Sequence, residues 1–407
     1  MKTIWNDAYL DEMRKVGDPE TDRLVQDLIP DRLVSVDHLM NTLVRNDAPP
    51  PDQLPSELID FLNKSGSVSA EDLHAIRKGQ RLFCKHGHIM LLTLVCGSLP
   101  TAYAARKGVK VLKGTRRLLI CPNRRLWETA QMVVNVMGPG GLSGPGRGIR
   151  TAQKVRLMHA AIRNILLTES NPAWDEQLLG KPVNQEDMAG TLLLFSHFVL
   201  DRLEKLGVWI DPEEKAGYFQ AWQVVGGILG VRPELIPTDL DEAAELNALI
   251  WKRQQAPSQE GRQMLHALLK LLKEDTPLPM KWAPGSTIRY LLPPRAADMI
   301  GVPRHRIGRR AIGILAKLNG MVNRVLGPAS LRSLFFRRFG LHVVNWLIKV
   351  DRGPARAKFN IPAHLRTYWG APSAAERKTF WQRWLDQLTN MRRFFTRMKS
   401  RYVVGGR

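Results

Sequence analysis

The chain has 407 residues, 44% of them hydrophobic, so it can bury a sizeable core as one large domain or as two or three smaller ones. Its formal net charge is +22, and nearly all of the excess lies between Gly301 and Arg407, where 23 Lys and Arg stand against 3 Asp and Glu. Its three cysteines form no CxxC pair, which excludes a disulfide framework and a four-cysteine zinc site.

The N-terminus carries acids early and lacks the apolar segment of a secretory signal. We therefore expect the chain as written to be cytoplasmic or peripheral at a membrane, and secreted if a signal peptide precedes it in the native protein. The most apolar run, residues 89–105, contains Gly97, Ser98 and Pro100. These residues are expected to interrupt a helix that could span a membrane.

In chain order, the pattern predicts helices almost throughout. Apolar residues recur at spacings of three and four through residues 20–44, and the proline-rich residues 48–55 form a stiff linker. Ser69 and Glu71 mark the start of a long helix. Residues 124–137 form another, followed by the loop GPGGLSGPGRG. The loop follows a helix and lacks the Lys-Ser/Thr of a P-loop, so we interpret it as a connector.

Later helices carry clear start signals. Residues 151–167 and 185–207 are expected to be helical, the second mostly buried. Asp211, followed by Pro212 and two glutamates, predicts an N-cap, and Gly230 predicts the end of that helix. Runs with a period of two are scarce, so the predicted class is all-α. We predict an N-terminal helical extension (1–55), a core (56–292) and a basic amphipathic C-terminal helical region packed on the core (293–407).

Two histidines lie on apolar helix faces: His159 within KVRLMHAAIR and His197 within LLLFSHFVLDRL. A lone histidine in such a place is more often a core residue hydrogen-bonded to a carbonyl, but neutral imidazole is also the standard axial ligand of haem iron. Position alone leaves both interpretations open. The CKHGH run (84–88) does not predict a metal site, because residues two apart on a helix face different ways.

Arg125 and Thr129 lie four apart in RRLWETAQ, and His159 follows thirty residues after Thr129. With the stretches LDEMRKVGDPETDRLVQDL, GSLPTAYAARKGVKVL and YFQAWQVVGGILGVRPELIP, this order resembles the latex-clearing protein (rubber oxygenase) family, which is related to the MpaB-type oxygenases. The resemblance covers about residues 8–240, with a weaker echo in residues 287–303. It rests on the order and spacing of these motifs.

The resemblance implies a globin-like helical core around non-covalent haem b. His159 matches the axial ligand, and Arg125 and Thr129 match an arginine and a threonine of the haem pocket. Arg156 and Arg163 are further candidates to bind the haem propionates, although solvent-exposed helix faces explain them equally well. The implied reaction is cleavage of an olefinic C=C bond of an isoprenoid by O₂, giving carbonyl ends. We expect a monomer.

The chain departs from the family pattern at two positions. The family has a lysine directly before the threonine, able to cap the iron, where this chain has Glu128; a lysine-capped closed state is therefore not expected. The family also has a glutamate about twenty residues before the threonine, which is missing around Val109. Glu128 is a candidate base, although a surface glutamate is the commoner case. A smaller isoprenoid or lipid olefin is a possible substrate, and a non-catalytic haem- or lipid-binding protein associated with membranes is the alternative.

The basic C-terminal quarter allows three interpretations. Basic helices interleaved with aromatic residues, above all residues 376–401, suit an anionic membrane or lipid-particle surface. The composition could also bind nucleic acid, but no motif supports a specific nucleic-acid partner. The third interpretation is a solvated face of helices packed on the core.

Overall fold

The computed structural model describes residues 4–28, 55–63, 68–114, 122–144, 146–168, 173–274 and 276–326. In these ranges the chain is helical, and an isolated antiparallel bridge between Ala105 and Gln255 takes the place of any sheet. The predicted all-α class is confirmed. The helices predicted between residues 29 and 54 and beyond residue 326 lie outside the described residues.

The described residues form the following α-helices. They are α1 (Asp7–Arg14), α2 (Pro19–Leu28), α3 (Ser56–Asn63), α4 (Ala70–Thr93), α5 (Leu99–Tyr103), α6 (Val109–Gly114), α7 (Pro122–Met137), α8 (Arg147–Thr168), α9 (Glu176–Leu179), α10 (Gln185–Phe195), α11 (His197–Lys205), α12 (Pro212–Ile228), α13 (Leu240–Gln254), α14 (Gln259–Glu274), α15 (Ala283–Leu291), α16 (Pro294–Met299) and α17 (Arg306–Leu326). A π-helix (Leu94–Ser98) and 3₁₀ turns at Pro233–Leu235 and Leu278–Met280 complete the set.

The predicted helix starts are confirmed where the caps are described. The Ser69 hydroxyl accepts the backbone N–H of Asp72 at 3.0 Å. Asp211 Oδ1 accepts the N–H groups of Glu213 and Glu214, and α12 ends just before Gly230, whose φ is 81°. Each capping side chain accepts hydrogen bonds from backbone N–H groups that have no partner inside the helix. A capping residue in the sequence therefore predicts where its helix begins.

Gly97, Ser98 and Pro100 do not interrupt the helix as expected. The chain stays helical from Ala70 to Tyr103, because the Leu94–Ser98 segment widens into a π-helix instead of ending the helix. This stretch is the one described helix long and apolar enough to cross a membrane, and half of its most apolar window is buried inside the protein. A core helix meets the same criteria, so the finding is weak evidence for a span.

The apolar stretch 185–207 forms two helices instead of one. Ser196 separates α10 from α11 with φ −98° and ψ −92°, and its hydroxyl donates to the carbonyl of Leu192 at 2.9 Å. That hydrogen bond offers the backbone an alternative to continuing the helix, as serine often does. His197 is therefore the first residue of α11.

The core forms where α4 crosses α12 at backbone contact distance. A Cβ on Gly79 would lie 2.2 Å from the backbone nitrogen of Tyr218, and one on Gly217 would lie 2.0 Å from the carbonyl oxygen of Ala75. Only glycine permits this approach. Trp222, fully buried on α12, stacks on Phe195 with ring centroids 5.0 Å apart. A second apolar cluster joins α14, α15 and α16.

Buried ion pairs bind the N-terminal helix α1 to the core. Arg14 of α1 donates to Glu186 at 3.1 Å and to Asp187 at 3.0 Å, and Arg253 of α13 donates to Glu186 at 2.9 Å. The Glu186 side chain is fully buried, so it relies on these partners. The boundaries at residues 55 and 292 stay predictions.

Candidate functional site

The site is organised by the hairpin of α7 and α8, which are joined by the predicted glycine-rich connector. A Cβ on Gly148 would lie 2.7 Å from the Cα of Val136, so the two helices touch near the connector. One turn further along α8, Thr151 accepts a hydrogen bond from the Asn135 amide at 2.9 Å. From the first contact to the second, the residue number falls on α7 and rises on α8. The two helices therefore form an antiparallel pair.

This register relates the predicted site residues to one another. Glu128 lies seven residues before Asn135 on α7, and Met158 lies seven residues after Thr151 on α8. Seven residues are about two turns, so in an antiparallel pair Glu128 and Met158 lie at the same height. Glu128 therefore shares the face of Asn135 that looks towards α8. Thr129 follows Glu128 and His159 follows Met158, and one residue is a rotation of about 100° around a helix. Because the two helices run in opposite directions, these rotations turn Thr129 and His159 to the same side of the contact between α7 and α8. The register thus brings Thr129 and His159 to one side of the hairpin at about the same height.

His159 itself is half-buried on α8, with its Nδ1 atom shielded from solvent. Leu157, Met158 and Ala160 beside it are buried, and Ile162 is partly buried against the same core. Of these residues, Ile162 lies closest by the helical period to the side of α8 that carries His159. An imidazole in this setting can ligate a metal ion while the neighbouring side chains keep water away.

Glu128 is only 1% exposed, so the expectation that it lies on the surface was wrong. A fully buried carboxylate on the face towards α8 can hold a proton or accept one. Arg125 lies in the first turn of α7, one turn before Thr129. The side chains of residues 122–125 lie outside the described part of the chain.

Arg156 and Arg163 bind carboxylates at the N-terminal end of α2, with Asp18 directly before the helix and Glu20 and Asp22 within it. Arg156 donates to Asp18 at 2.6 Å and 2.9 Å and to Glu20 at 2.8 Å. Arg163 donates to Asp22 at 2.7 Å. Both guanidinium groups thus tie α2 to the histidine helix, and these contacts give no support to the prediction that they bind propionates.

Arg163 also donates to the carbonyl of Val183 at 2.9 Å. Val183 has φ 51°, a left-handed conformation that a β-branched residue rarely adopts. The hydrogen bond therefore helps to hold a strained turn that leads into α10. Arg163 is 2% exposed, which fits a structural role.

The sequence analysis missed a buried cationic pair on α8. Arg150 and Lys154 lie four apart and are both buried. Burial lowers the pKa of Lys154 to about 7, with the charge of Arg150 as a second cause. By the helical period both lie across α8 from His159, so they belong to a different face of the helix. Their spacing of four residues, which puts both on one face of α8, was the signal available in the sequence.

The other histidines lie elsewhere. His197 begins α11, outside the α7–α8 hairpin, and burial lowers its pKa against the opposing charge of Asp201. Cys84, His86 and His88 lie along α4. In the part of the chain that the structure describes, no group of three or more His, Cys, Asp and Glu side chains could hold a metal ion.

The donor set around His159 fits a haem. A haem iron needs one protein nitrogen, in a setting that excludes water, instead of a cluster of ligands. His159 provides that nitrogen, Val155 and Ile162 provide apolar neighbours on the same face of α8, and Thr129 provides a hydroxyl on the same side of the hairpin.

Comparison with known proteins identifies the family of the chain. The family model described as "ER-bound oxygenase mpaB/B'/Rubber oxygenase, catalytic domain" matches residues 85–322. The rubber oxygenase of Streptomyces sp. (strain K30) is 27% identical over 332 residues, which cover 78% of this chain and 80% of that protein. A solved structure of latex clearing protein LCP in the closed state matches with a TM-score of 0.70 and 25% identity, covering 86% of this chain and 95% of that one. The resemblance predicted from Arg125, Thr129 and His159 is confirmed at the level of the family. The chain belongs to the family of mpaB-type and rubber oxygenase catalytic domains.

Proposed function

We propose that the protein is a haem b-dependent dioxygenase that cleaves an olefinic C=C bond of polyisoprene, or of a related isoprenoid or lipid, with O₂ to give carbonyl products. The observation that carries the proposal is the α7–α8 register, which brings His159 and Thr129 to one side of the hairpin in a chain of an oxygenase family. The relatives named above supply the substrate class, since one is a rubber oxygenase and another a latex clearing protein.

In this proposal, the imidazole of His159 would hold the iron of the haem, and the haem would supply the chemistry that activates O₂. Val155 and Ile162, about one turn to either side of His159 on the same face of α8, would exclude water there and favour an apolar substrate. Arg125 and Thr129, one turn apart, are the candidates to orient O₂ and the substrate. A threonine hydroxyl both donates and accepts, so Thr129 can do so without adding a charge.

Glu128 is proposed to accept a proton from the substrate during cleavage and to return it before the carbonyl products leave, since the net reaction releases no proton. Its carboxylate is buried and lies at the height of Met158 and His159 on the face towards α8. The role is assigned here to the residue that replaces the family's lysine.

Oxygen uptake and product analysis test the proposal. The purified protein, supplied with haem, is incubated with a polyisoprene emulsion and separately with a short isoprenoid olefin. Consumption of O₂ is followed with an electrode, and carbonyl ends are trapped with a hydrazine reagent. We expect about two carbonyl groups for each O₂ consumed, as atom balance for dioxygenase cleavage requires. If haem binds and neither quantity changes, the non-catalytic haem- or lipid-binding alternative is favoured.

The remaining predictions about partners and location stay open to test. Contact of residues 376–401 with a membrane or lipid particle concerns a segment outside the described residues. The monomeric state, the cytoplasmic or peripheral location, and secretion through a preceding signal peptide are proposals of the same standing.

A further inference from the structure

Helix α17 presents a row of large apolar side chains to solvent. Ile307, Ile314, Leu315, Leu318, Met321 and Val322 are 78%, 58%, 60%, 51%, 61% and 40% exposed. Their spacings of seven, one, three, three and one residues place all six on one face of the helix. We call this face the α17 stripe. Single exposed apolar residues are common on protein surfaces, but a row of them over four turns of one helix indicates a surface that binds a protein or a membrane.

The opposite face of α17 is the one packed on the protein. It carries small residues: Gly308 lies against Trp282 and Ser286, Ala316 is buried, and Gly320 approaches Gly207. Asn319 on the same side donates to the carbonyl of Leu206 at 2.9 Å. The helix is therefore held by its small residues, and its large apolar residues point away from the core.

Two further exposed apolar residues lie a few positions before Trp282, which contacts the start of α17. Leu278 and Met280 are 83% and 51% exposed. They precede Trp282, whose ring stacks on His305 directly before the helix, with centroids 5.8 Å apart. The exposed apolar surface therefore continues past the N-terminal end of the stripe.

The charges beside the stripe are all positive. Residues 306–326 contain five Lys and Arg and no Asp or Glu. Four of them, Arg306, Arg309, Arg310 and Lys317, are exposed. All of these except Arg309 lie along one flank of the stripe by the helical period. An apolar face bordered by arginine and lysine matches an anionic lipid surface, where the apolar residues enter the acyl region and the cations meet the headgroups.

We propose that the α17 stripe binds the surface of an anionic lipid membrane, with α17 lying in the plane of the interface. The positive charge beside the stripe argues against two other partners, residues 327–407 and a second copy of the chain. Residues 327–407 contain 17 Lys and Arg against 3 Asp and Glu, so covering the stripe with that segment would bring like charges together. A second copy of the chain would pair α17 with an equally basic α17. The inference does not depend on the proposed chemistry at His159.

Vesicle sedimentation tests the proposal with the full chain. The probes are vesicles of phosphatidylcholine alone and vesicles containing about one third phosphatidylglycerol, an anionic lipid. The test variant is Ile314→Glu/Leu318→Glu. The matched control is Leu167→Glu/Leu178→Glu, which adds the same two charges at exposed leucines (39% and 60%) far along the chain from α17. Circular dichroism and size-exclusion chromatography with light scattering check folding and mass.

We expect the wild-type chain and the control to sediment with anionic vesicles and much less with neutral ones. The test variant should lose about tenfold or more of its vesicle partition while keeping its fold and mass. Equal sedimentation of the test variant overturns the proposal, because another surface then binds the lipid. A wild-type chain that stays in solution overturns it in favour of a stripe covered by residues 327–407. A dimer that the test variant dissociates overturns it in favour of a second copy.

Discussion

Arg156 and Asp18 form a two-point ion pair, with Nε donating at 2.6 Å and Nη2 at 2.9 Å to the two carboxylate oxygens. The pair links α2 to the helix that carries His159, three residues away. Burial by itself would raise the pKa of Asp18, but the hydrogen bonds and charge of Arg156 outweigh burial and lower it below its usual 3.8. The pair is therefore a fixed structural link at neutral pH.

Replacing Asp18→Asn should lower the free energy of unfolding by about 2 kcal/mol at pH 7, because it leaves the Arg156 guanidinium with a weaker partner. The lowered pKa contributes stability that is present above the unfolded value of 3.8 and is lost as the pH falls through the folded value. The difference between variant and wild type should thus shrink below about pH 4. Chemical denaturation at several pH values measures it, and a difference that does not change with pH would contradict this assignment.

Two glycines of α12 should respond in opposite ways to alanine. Gly217→Ala places a methyl 2.0 Å from the carbonyl oxygen of Ala75, a backbone atom that cannot move aside, so we expect a loss of about 3 kcal/mol or failure to fold. Gly227→Ala meets nothing within 4 Å and should stabilise the helix by about 0.5–1 kcal/mol. Thermal unfolding of the two variants checks the pair. Similar melting temperatures would mean that α4 and α12 do not cross at Gly217.

Glu128→Gln keeps the size of the side chain and removes the base. If Glu128 accepts a proton from the substrate, turnover should fall by about 100-fold or more while haem content and folding stay as in the wild type. Kinetics of O₂ uptake with a short isoprenoid olefin provide the measurement. Unchanged turnover in the variant would assign the buried carboxylate a structural role.

Lys154→Met should stabilise the protein near neutral pH by about 1 kcal/mol, because it removes a buried ammonium group. Burial, together with the charge of Arg150, lowers the pKa of Lys154 to about 7 from its usual 10.5. The unfolded chain therefore binds the proton more tightly between these values, and wild-type stability attributable to this group rises with pH across that window. The advantage of the variant should be largest at pH 6 and should fade towards pH 10. An advantage that stays constant across this range would show that Lys154 titrates normally.

The sequence predicted the helices and their ends because those depend on local chemistry. Ser69 and Asp211 cap the backbone within three residues, and the spacing of apolar residues reports the helical period directly. The histidine helix and the connector before it were placed for the same reason. The candidate site followed from the resemblance, since no local rule distinguishes His159 from a core histidine.

What the sequence did not predict depends on contacts between distant segments. Glu128 is buried by segments distant in the chain that pack around α7, and nothing within α7 indicates those partners. The acids at the N-terminal end of α2 that bind Arg156 and Arg163 lie about 140 positions away in the chain. The π-helix at Leu94–Ser98 replaced an expected break because the residues around it pack on other helices.

The central claim is that His159 holds the haem, and the visible spectrum tests it most directly. Wild type, His159→Ala and His197→Ala are purified under the same conditions, supplied with haem and desalted. We expect a Soret band in the wild type and in His197→Ala, where the changed histidine lies outside the α7–α8 hairpin, and its loss in His159→Ala with the helical content unchanged. A band that survives in His159→Ala, or that disappears in His197→Ala instead, would contradict the assignment.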